Sequence, residues 1–128
     1  MRLLLDTHIA LWAVTGDSRL SEQARSLIDR EDNHSIVSVV TVWEIAIKHV
    51  LRPDEMPVAP ARALELFQMA SYEILPVEPS HAVAVGDLPR HHSDPFDRML
   101  VAQAITEPLK LLTRDKKLAA YGDAVIMA

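Results

Sequence analysis

Short apolar runs recur along the chain at residues 2–5, 35–39, 73–77, 110–113 and 124–127, with longer polar–apolar segments between them. The run Leu3–Leu4–Leu5 is continuous rather than alternating, and Ile36, Val37 and Val39 add β-branched character to the second run. Such runs predict short strands covered on both faces, as in a parallel sheet. The intervening segments carry helical spacing. Residues 9–14 offer Leu11, Trp12 and Val14 for packing, and Gly16–Asp17–Ser18 breaks the run. Ser21 caps a helix to about Arg30 with Ala24, Leu27 and Ile28 as its stripe. Further helices are expected over 41–51, 61–70 and 81–87, the last capped by Ser80. Asp94 caps another, with Pro95 at the first helical position and Phe96, Met99, Leu100 and Ala104 on its core face. A final short helix over 116–121 stops at Gly122. Strands alternating with helices predict an open α/β sheet of about five strands, with right-handed crossovers and helices on both faces.

Composition narrows the class. At 128 residues and 49% hydrophobic content the chain is long enough for one cored domain, read as spanning 1–128. It has no Cys, which excludes disulfides and thiolate metal sites and fits a reducing cytoplasm. Asp6 and His8 interrupt any apolar signal segment, and no apolar stretch reaches membrane-spanning length. The net charge of −5 argues against a broad cationic surface for nucleic acid. Local placement differs, because Lys48, Arg52, Arg90, Arg98, Arg114, Lys116 and Lys117 fall near the segments treated next. They read either as solvated charge or as a phosphate-binding rim.

The isolated acids matter more. In the 41–51 helix, Thr41, Glu44 and Lys48 lie on one face, while Trp43, Ile45, Ala46 and Ile47 leave little surface for solvent. Glu44 is therefore either half of a surface pair with Lys48 or a buried acid that needs a partner. Asp6 ends the first strand, Asp115 follows the fourth, and Asp97 sits in the first turn of the helix before it. Asp94 and Asp97 also suit the positive end of that helix. Ligands bind open α/β sheets outside the carboxyl ends of the strands; Asp6, Glu44 and Asp115 belong to that edge, and Asp97 joins them if its helix starts there. Carboxylates converging there without matching basic groups imply a hard cation such as Mg²⁺ or Mn²⁺. The paired His91 and His92 lack metal-ligand spacing and read as loop or substrate-contact residues.

Four segments carry a resemblance: Leu4–Leu5–Asp6–Thr7–His8, the stretch from Ser38 through Trp43–Glu44 to Lys48, His92–Ser93–Asp94–Pro95–Phe96–Asp97–Arg98, and Leu112–Thr113–Arg114–Asp115. On these, essentially the whole chain resembles the PIN-domain ribonucleases, specifically the VapC-type toxins of toxin–antitoxin pairs. The resemblance implies a three-layer sandwich around a parallel sheet. It assigns metal binding and catalysis to Asp6, Glu44 and Asp97, with Asp115 matching a fourth acid that varies between members. Thr7 and Thr113 match hydroxyls that orient the site, and Asp94 belongs to a subgroup motif. The implied reaction is Mg²⁺- or Mn²⁺-dependent hydrolysis of RNA that leaves a 5′-phosphate and a 3′-hydroxyl. Lys48, Arg98, Arg114 and Lys116 would position RNA phosphates. The implied assembly is a homodimer bound by an antitoxin whose tail enters the acidic groove.

Two other classes are weighed. A phospho-accepting receiver domain needs an acidic pair after strand one and an acceptor Asp after strand three. Here Asp6 stands beside Thr7, and the third strand runs into Pro76–Val77–Glu78–Pro79. A non-catalytic binding module of the same fold would have no use for intact Asp6, Glu44 and Asp97. Metal-dependent RNA cleavage separates it from the nuclease.

Overall fold

The computed structural model describes residues 1–128. Strands β1 (Arg2–Leu5), β2 (His34–Ser38), β3 (Glu73–Leu75), β4 (Lys110–Thr113) and β5 (Val125–Met127) form one sheet in the order β3-β2-β1-β4-β5. Every pairing is parallel, with Leu4 opposite Ile36 on one side and Leu111 on the other. β1 is thus the central strand, and Leu3, Leu4 and Leu5 have no solvent exposure. That is why its sequence is an unbroken apolar run.

The helices are α1 (Thr7–Thr15), α2 (Glu22–Asp29), α3 (Val39–Leu51), α4 (Pro60–Met69), α5 (Pro79–Asp87) and α6 (Pro95–Thr106), and Lys116–Ala124 forms 3-10 turns. The pleat sends alternate residues to opposite layers. Leu3, Leu5, Val37 and Leu112 pack with Ile9, Leu11 and Trp12 of α1, Ala24 of α2, and Ala63 and Phe67 of α4. Leu4, Ile36 and Leu111 pack with Leu100, Val101 and Ala104 of α6 and with Leu118. α3 serves both layers, Ile45 entering the first core and Val40 the second. The result is the expected three-layer α/β/α sandwich.

Several local expectations are corrected, mostly by capping. α1 starts at Thr7 rather than Ile9, because Asp6 accepts a hydrogen bond from the Thr7 backbone N–H at 2.8 Å. Ser38 likewise accepts from Val40, so Val39 is helical and β2 ends one residue early. β3 ends at Leu75, not Val77. α5 is capped by Glu78 with Pro79 at its start, not by Ser80, and the Glu78 N–H donates to Nδ1 of the fully buried His81. The last helical segment is 3-10 rather than α and breaks at Gly122, whose φ of +85° favours glycine.

The outer face of α3 overturns a larger expectation. Only Val40, Thr41, Glu44 and Ile45 of this helix are buried, while Trp43 is 58% exposed and Val39, Val50 and Leu51 also face solvent. The inward side is held by β2, α1, α4 and α6; on the opposite side Trp43 meets the Phe96 ring at 5.0 Å, edge to face, and otherwise this face stays open to solvent. No helix is long and apolar enough to cross a membrane.

The burial pattern yields a stability prediction. Phe67→Ala, which empties a fully buried ring site, should lower unfolding free energy by about 3–5 kcal/mol. Val50→Ala, on the exposed face of α3, should change it by less than about 0.5 kcal/mol. Urea unfolding of the two variants beside the parent chain checks the pair.

Candidate active site

Four chain segments reach the carboxyl edge of the sheet and turn there into helices, so backbone N–H groups and acids meet at one place. Asp6 caps α1, Asp94 caps α6, and Asp115 caps the 3-10 turns, each through its side chain. Asp94 accepts from both Phe96 and Asp97, which sets the first turn of α6. Capping and helix dipoles favour negative charge at each of these positions. Asp6, Glu44, Asp94, Asp97 and Asp115 all line one groove of about 820 Å³. The structure therefore brings together the acids expected from the sequence.

Asp6 is buried at the end of β1. Its Oδ2 accepts from the Thr113 hydroxyl at 2.7 Å, and that hydroxyl accepts from the Asp115 N–H at 3.0 Å. Thr113 thus ties the ends of β1 and β4 through one oxygen. Burial raises the Asp6 carboxyl above its ordinary range, the bonds from Thr113 and Thr7 pull it back, and nearby Glu44 raises it again. Glu44, 3% exposed, accepts from the Thr7 hydroxyl at 2.8 Å and from Lys48 Nζ at 2.5 Å. Thr41 completes this corner, its hydroxyl 3.2 Å from that of Thr7. Glu44 is thus the buried acid, and Lys48 is its partner rather than half of a surface pair.

Asp97 registers the crowding most strongly. Burial first, then the charges of Asp6, Asp94 and Glu44, push its carboxyl up to about 7, against a lowering bond from His92. Burial pulls Lys48 down, but its bond to Glu44 and the charges of Glu44, Asp94 and Asp97 outweigh this and leave it raised.

The expectation of acids without basic partners is corrected in two places. Lys48 is one partner. His92 is the other, with Nε2 2.8 Å from Asp97 Oδ2 and 3.3 Å from Asp115 Oδ2. Its loop position gave no periodicity from which this contact was readable. Arg98 is corrected as well. Its guanidinium donates to the carbonyls of Val85, Pro89 and His92 and to Tyr121 Oη, so it clasps the loop before α6 instead of facing the groove. Arg114 lines the groove, and its guanidinium and that of Arg19 each sit 5.2 Å from the Trp12 ring centroid. Lys116 lines a separate, smaller cavity with Arg19 and Arg114. The proline-rich 52–60 connection supplies a wall of the main groove through Asp54, Glu55, Met56, Pro57 and Val58.

The donor set suits a hard divalent cation. Carboxylate oxygens from Asp6, Glu44, Asp97 and Asp115 are the ligand type that Mg²⁺ or Mn²⁺ takes, and burial together with neighbouring negative charge raises Asp97 there.

Comparison with known proteins agrees with this geometry. The family model described as the PIN domain matches residues 3–124. Ribonuclease VapC22 of Mycobacterium tuberculosis is 29% identical over 121 residues, covering 93% of this chain and 91% of that protein. Among solved structures, VapBC2 from Rickettsia felis bound to a promoter DNA fragment superposes with a TM-score of 0.69 at 17% identity, covering 100% of this chain and 98% of that one. DNA-bound VapBC from Salmonella typhimurium gives 0.65 at 18% identity, covering 100% and 97%. The chain belongs to the PIN-domain family.

A pH prediction follows from Asp97. The folded protein holds this proton to about pH 7, whereas the unfolded chain releases it near the ordinary 3.8. Between those values the native state binds more protons, so metal-free stability falls as pH rises, by at most about 1.4 kcal/mol per pH unit for one group. Asp97→Asn should flatten that slope. Denaturant midpoints of both proteins across the window measure it, and equal slopes would refute the assignment.

Proposed function

We propose that this chain is a divalent-metal-dependent endoribonuclease acting as the toxin of a toxin–antitoxin pair, with 1–128 forming one PIN domain. The observation that carries the reading is the convergence of buried Asp6 and Glu44 with half-buried Asp97, and Asp115 beside them, at the carboxyl edge of the sheet. Similarity to a ribonuclease over most of both chains supports the RNA substrate. Likeness to VapBC complexes supports an antitoxin partner.

Asp6, Glu44, Asp97 and Asp115 are proposed to hold the ion. When bound, Mg²⁺ or Mn²⁺ supplies Lewis acidity toward water and the scissile phosphate. The protein's part is to hold the acids before substrate arrives. Thr7 orients Glu44, Thr113 orients Asp6, and Asp94 fixes the first turn that presents Asp97. Such preorganisation avoids reorganisation during reaction. In-line attack by water forms a new P–O bond and breaks the bond to the 3′ oxygen, leaving a 3′-hydroxyl and a 5′-phosphate. Lys48 and Arg114, both on the groove, are proposed to receive RNA phosphates. An unpaired RNA stretch suits this open groove better than a regular duplex.

The antitoxin is proposed to thread a segment along the groove wall formed by residues 54–58, blocking the acids. The exposed Val39, Trp43 and Val50 fall on one face of α3 and are proposed as part of a homodimer contact. Trp43→Glu should then shift the sedimentation coefficient toward the monomer while leaving the fold intact by circular dichroism. An unchanged sedimentation coefficient would remove α3 from the interface. A cytoplasmic location is proposed with the toxin role.

The deciding experiment incubates purified protein with total RNA and Mg²⁺ or Mn²⁺ and sequences the new 5′ ends. Cleavage should stop in EDTA. Asp6→Asn, Glu44→Gln and Asp97→Asn should each lose most activity, and Asp115→Asn should lose less. Metal-free melting temperatures of Asp6→Asn and Asp97→Asn should stay equal or rise as repulsion is relieved. Glu44→Gln should gain less, since it strands Lys48. Stabilisation by added Mg²⁺ should shrink in all of them. Asp94→Asn, still a competent cap, should melt near the parent value. Full activity in Glu44→Gln or Asp97→Asn, or cleavage undiminished by EDTA, would defeat the proposal.

A further inference from the structure

His92 stands between two acids of the groove. Its Nε2 lies 2.8 Å from Asp97 Oδ2 and 3.3 Å from Asp115 Oδ2, and its side chain is mostly buried. The three groups are close enough that one ion could touch all of them, since their ligand atoms lie within 4.8 Å of one another. At first sight the imidazole is a nitrogen ligand. The other ring nitrogen argues otherwise. Nδ1 lies 3.1 Å from the backbone nitrogen of Ser93, in the geometry of a hydrogen bond donated by the Ser93 N–H. An accepting Nδ1 carries no proton, so in the neutral ring the proton is on Nε2. Nε2 therefore meets the carboxylates as a donor and has no lone pair for a cation. To ligate through Nε2, the ring would have to move its proton to Nδ1, against the Ser93 N–H.

We infer that His92 is a positioning residue that holds Asp97 and Asp115 in register by donating from Nε2, and that it is not a metal ligand. The backbone around it is fixed for that task. Arg98 donates to the His92 carbonyl and to the Pro89 and Val85 carbonyls, clasping the loop that delivers the ring. With Oδ2 of Asp97 engaged by His92, Oδ1 is the oxygen left for a cation. Asp115 is more fully occupied, since Oδ1 accepts from the Lys117 N–H and Oδ2 faces His92. The catalytic consequence rests on the nuclease reading above, but the tautomer and the donor role do not.

The test uses the intact chain and starts without metal. Long-range proton–nitrogen correlation of the His92 ring should show the proton on Nε2. A proton on Nδ1 overturns the inference. Mn²⁺ is then added, and electron spin-echo spectroscopy should show no directly bonded histidine nitrogen. Such a coupling, lost in His92→Leu, overturns it too. In the variants, His92→Leu should weaken Mn²⁺ binding by about 10–100-fold, the range for loss of a group that orients a ligand. It should also lower kcat on RNA with KM little changed. His92→Gln, which keeps an N–H donor, should recover most of both. A folded His92→Gln that is no better than His92→Leu counts against donation and overturns the role. If His92→Leu does not fold, the two spectroscopic measurements on the parent chain still decide. If the parent chain cleaves no RNA, the nuclease reading falls, while the tautomer and Mn²⁺-binding results continue to test His92.

Discussion

Mutual repulsion of buried carboxylates is the constraint on which this structure turns. Burial at the end of the sheet, compounded by the charges of Asp6, Asp94 and Glu44, leaves Asp97 holding its proton to about pH 7. Such crowding destabilises a fold unless each charge is answered by geometry. The answers are specific. Asp6, Asp94 and Asp115 sit at helix starts, where unpaired N–H groups need acceptors. Thr7 and Thr113 supply hydroxyl donors, and Lys48 and His92 supply hydrogen bonds from basic side chains. The helices are thus started by the residues that make the site, and capping and chemistry draw on the same side chains.

The topology makes that coincidence possible. In a parallel sheet every strand ends at the same edge, and each connection begins there with a turn into a helix. β1 lies between β2 and β4, so Asp6 is flanked by the elements that follow both neighbours. The Asp6 N–H donates to the Leu112 carbonyl at 3.0 Å, carrying the β1–β4 ladder up to the acid itself. Thr113 then links Asp6 to Asp115, and Thr7 links α1 to Glu44 on α3. Asp6, Glu44 and Asp115 are thereby tied to the end of the central strand, which suits a site whose groups must be placed before a ligand binds.

What the chain reveals by pattern and what it hides divide along a physical line. The strands and the edge at which the acids meet were readable, because continuous apolar runs and caps are local signals. Asp94–Pro95 marked the start of α6, and Glu44 stood out as an acid on an otherwise apolar helix. Contacts that depend on where a loop travels were not readable. Arg98 was grouped with the phosphate-binding residues from its charge, yet it spends its guanidinium on three carbonyls and Tyr121. His92 lacked metal-ligand spacing, and its pairing with Asp97 and Asp115 arises only when the loop folds back onto α6. The outer face of α3 was misjudged for a related reason. Hydrophobicity all round a helix predicts burial, but Trp43, touched on one edge by Phe96, and Val50 both stay largely exposed.

The same crowding ties stability to function. An apo site that is uncomfortable at neutral pH favours any ligand that brings positive charge, whether a divalent cation or a basic side chain from a partner. Each lowers the same electrostatic cost, so the two compete for one store of free energy even where their contacts differ. A partner that inserts a cationic group among Asp6, Glu44 and Asp97 would inhibit by occupying the place of the ion, without distorting the fold. Electrostatic relief of this kind is available only while the acids remain crowded. The N-cap bonds that hold Asp6 and Asp94, and the hydroxyls of Thr7 and Thr113, therefore sustain the charge density on which binding of any cationic group would draw. They prevent the carboxylates from relaxing apart when the groove is empty.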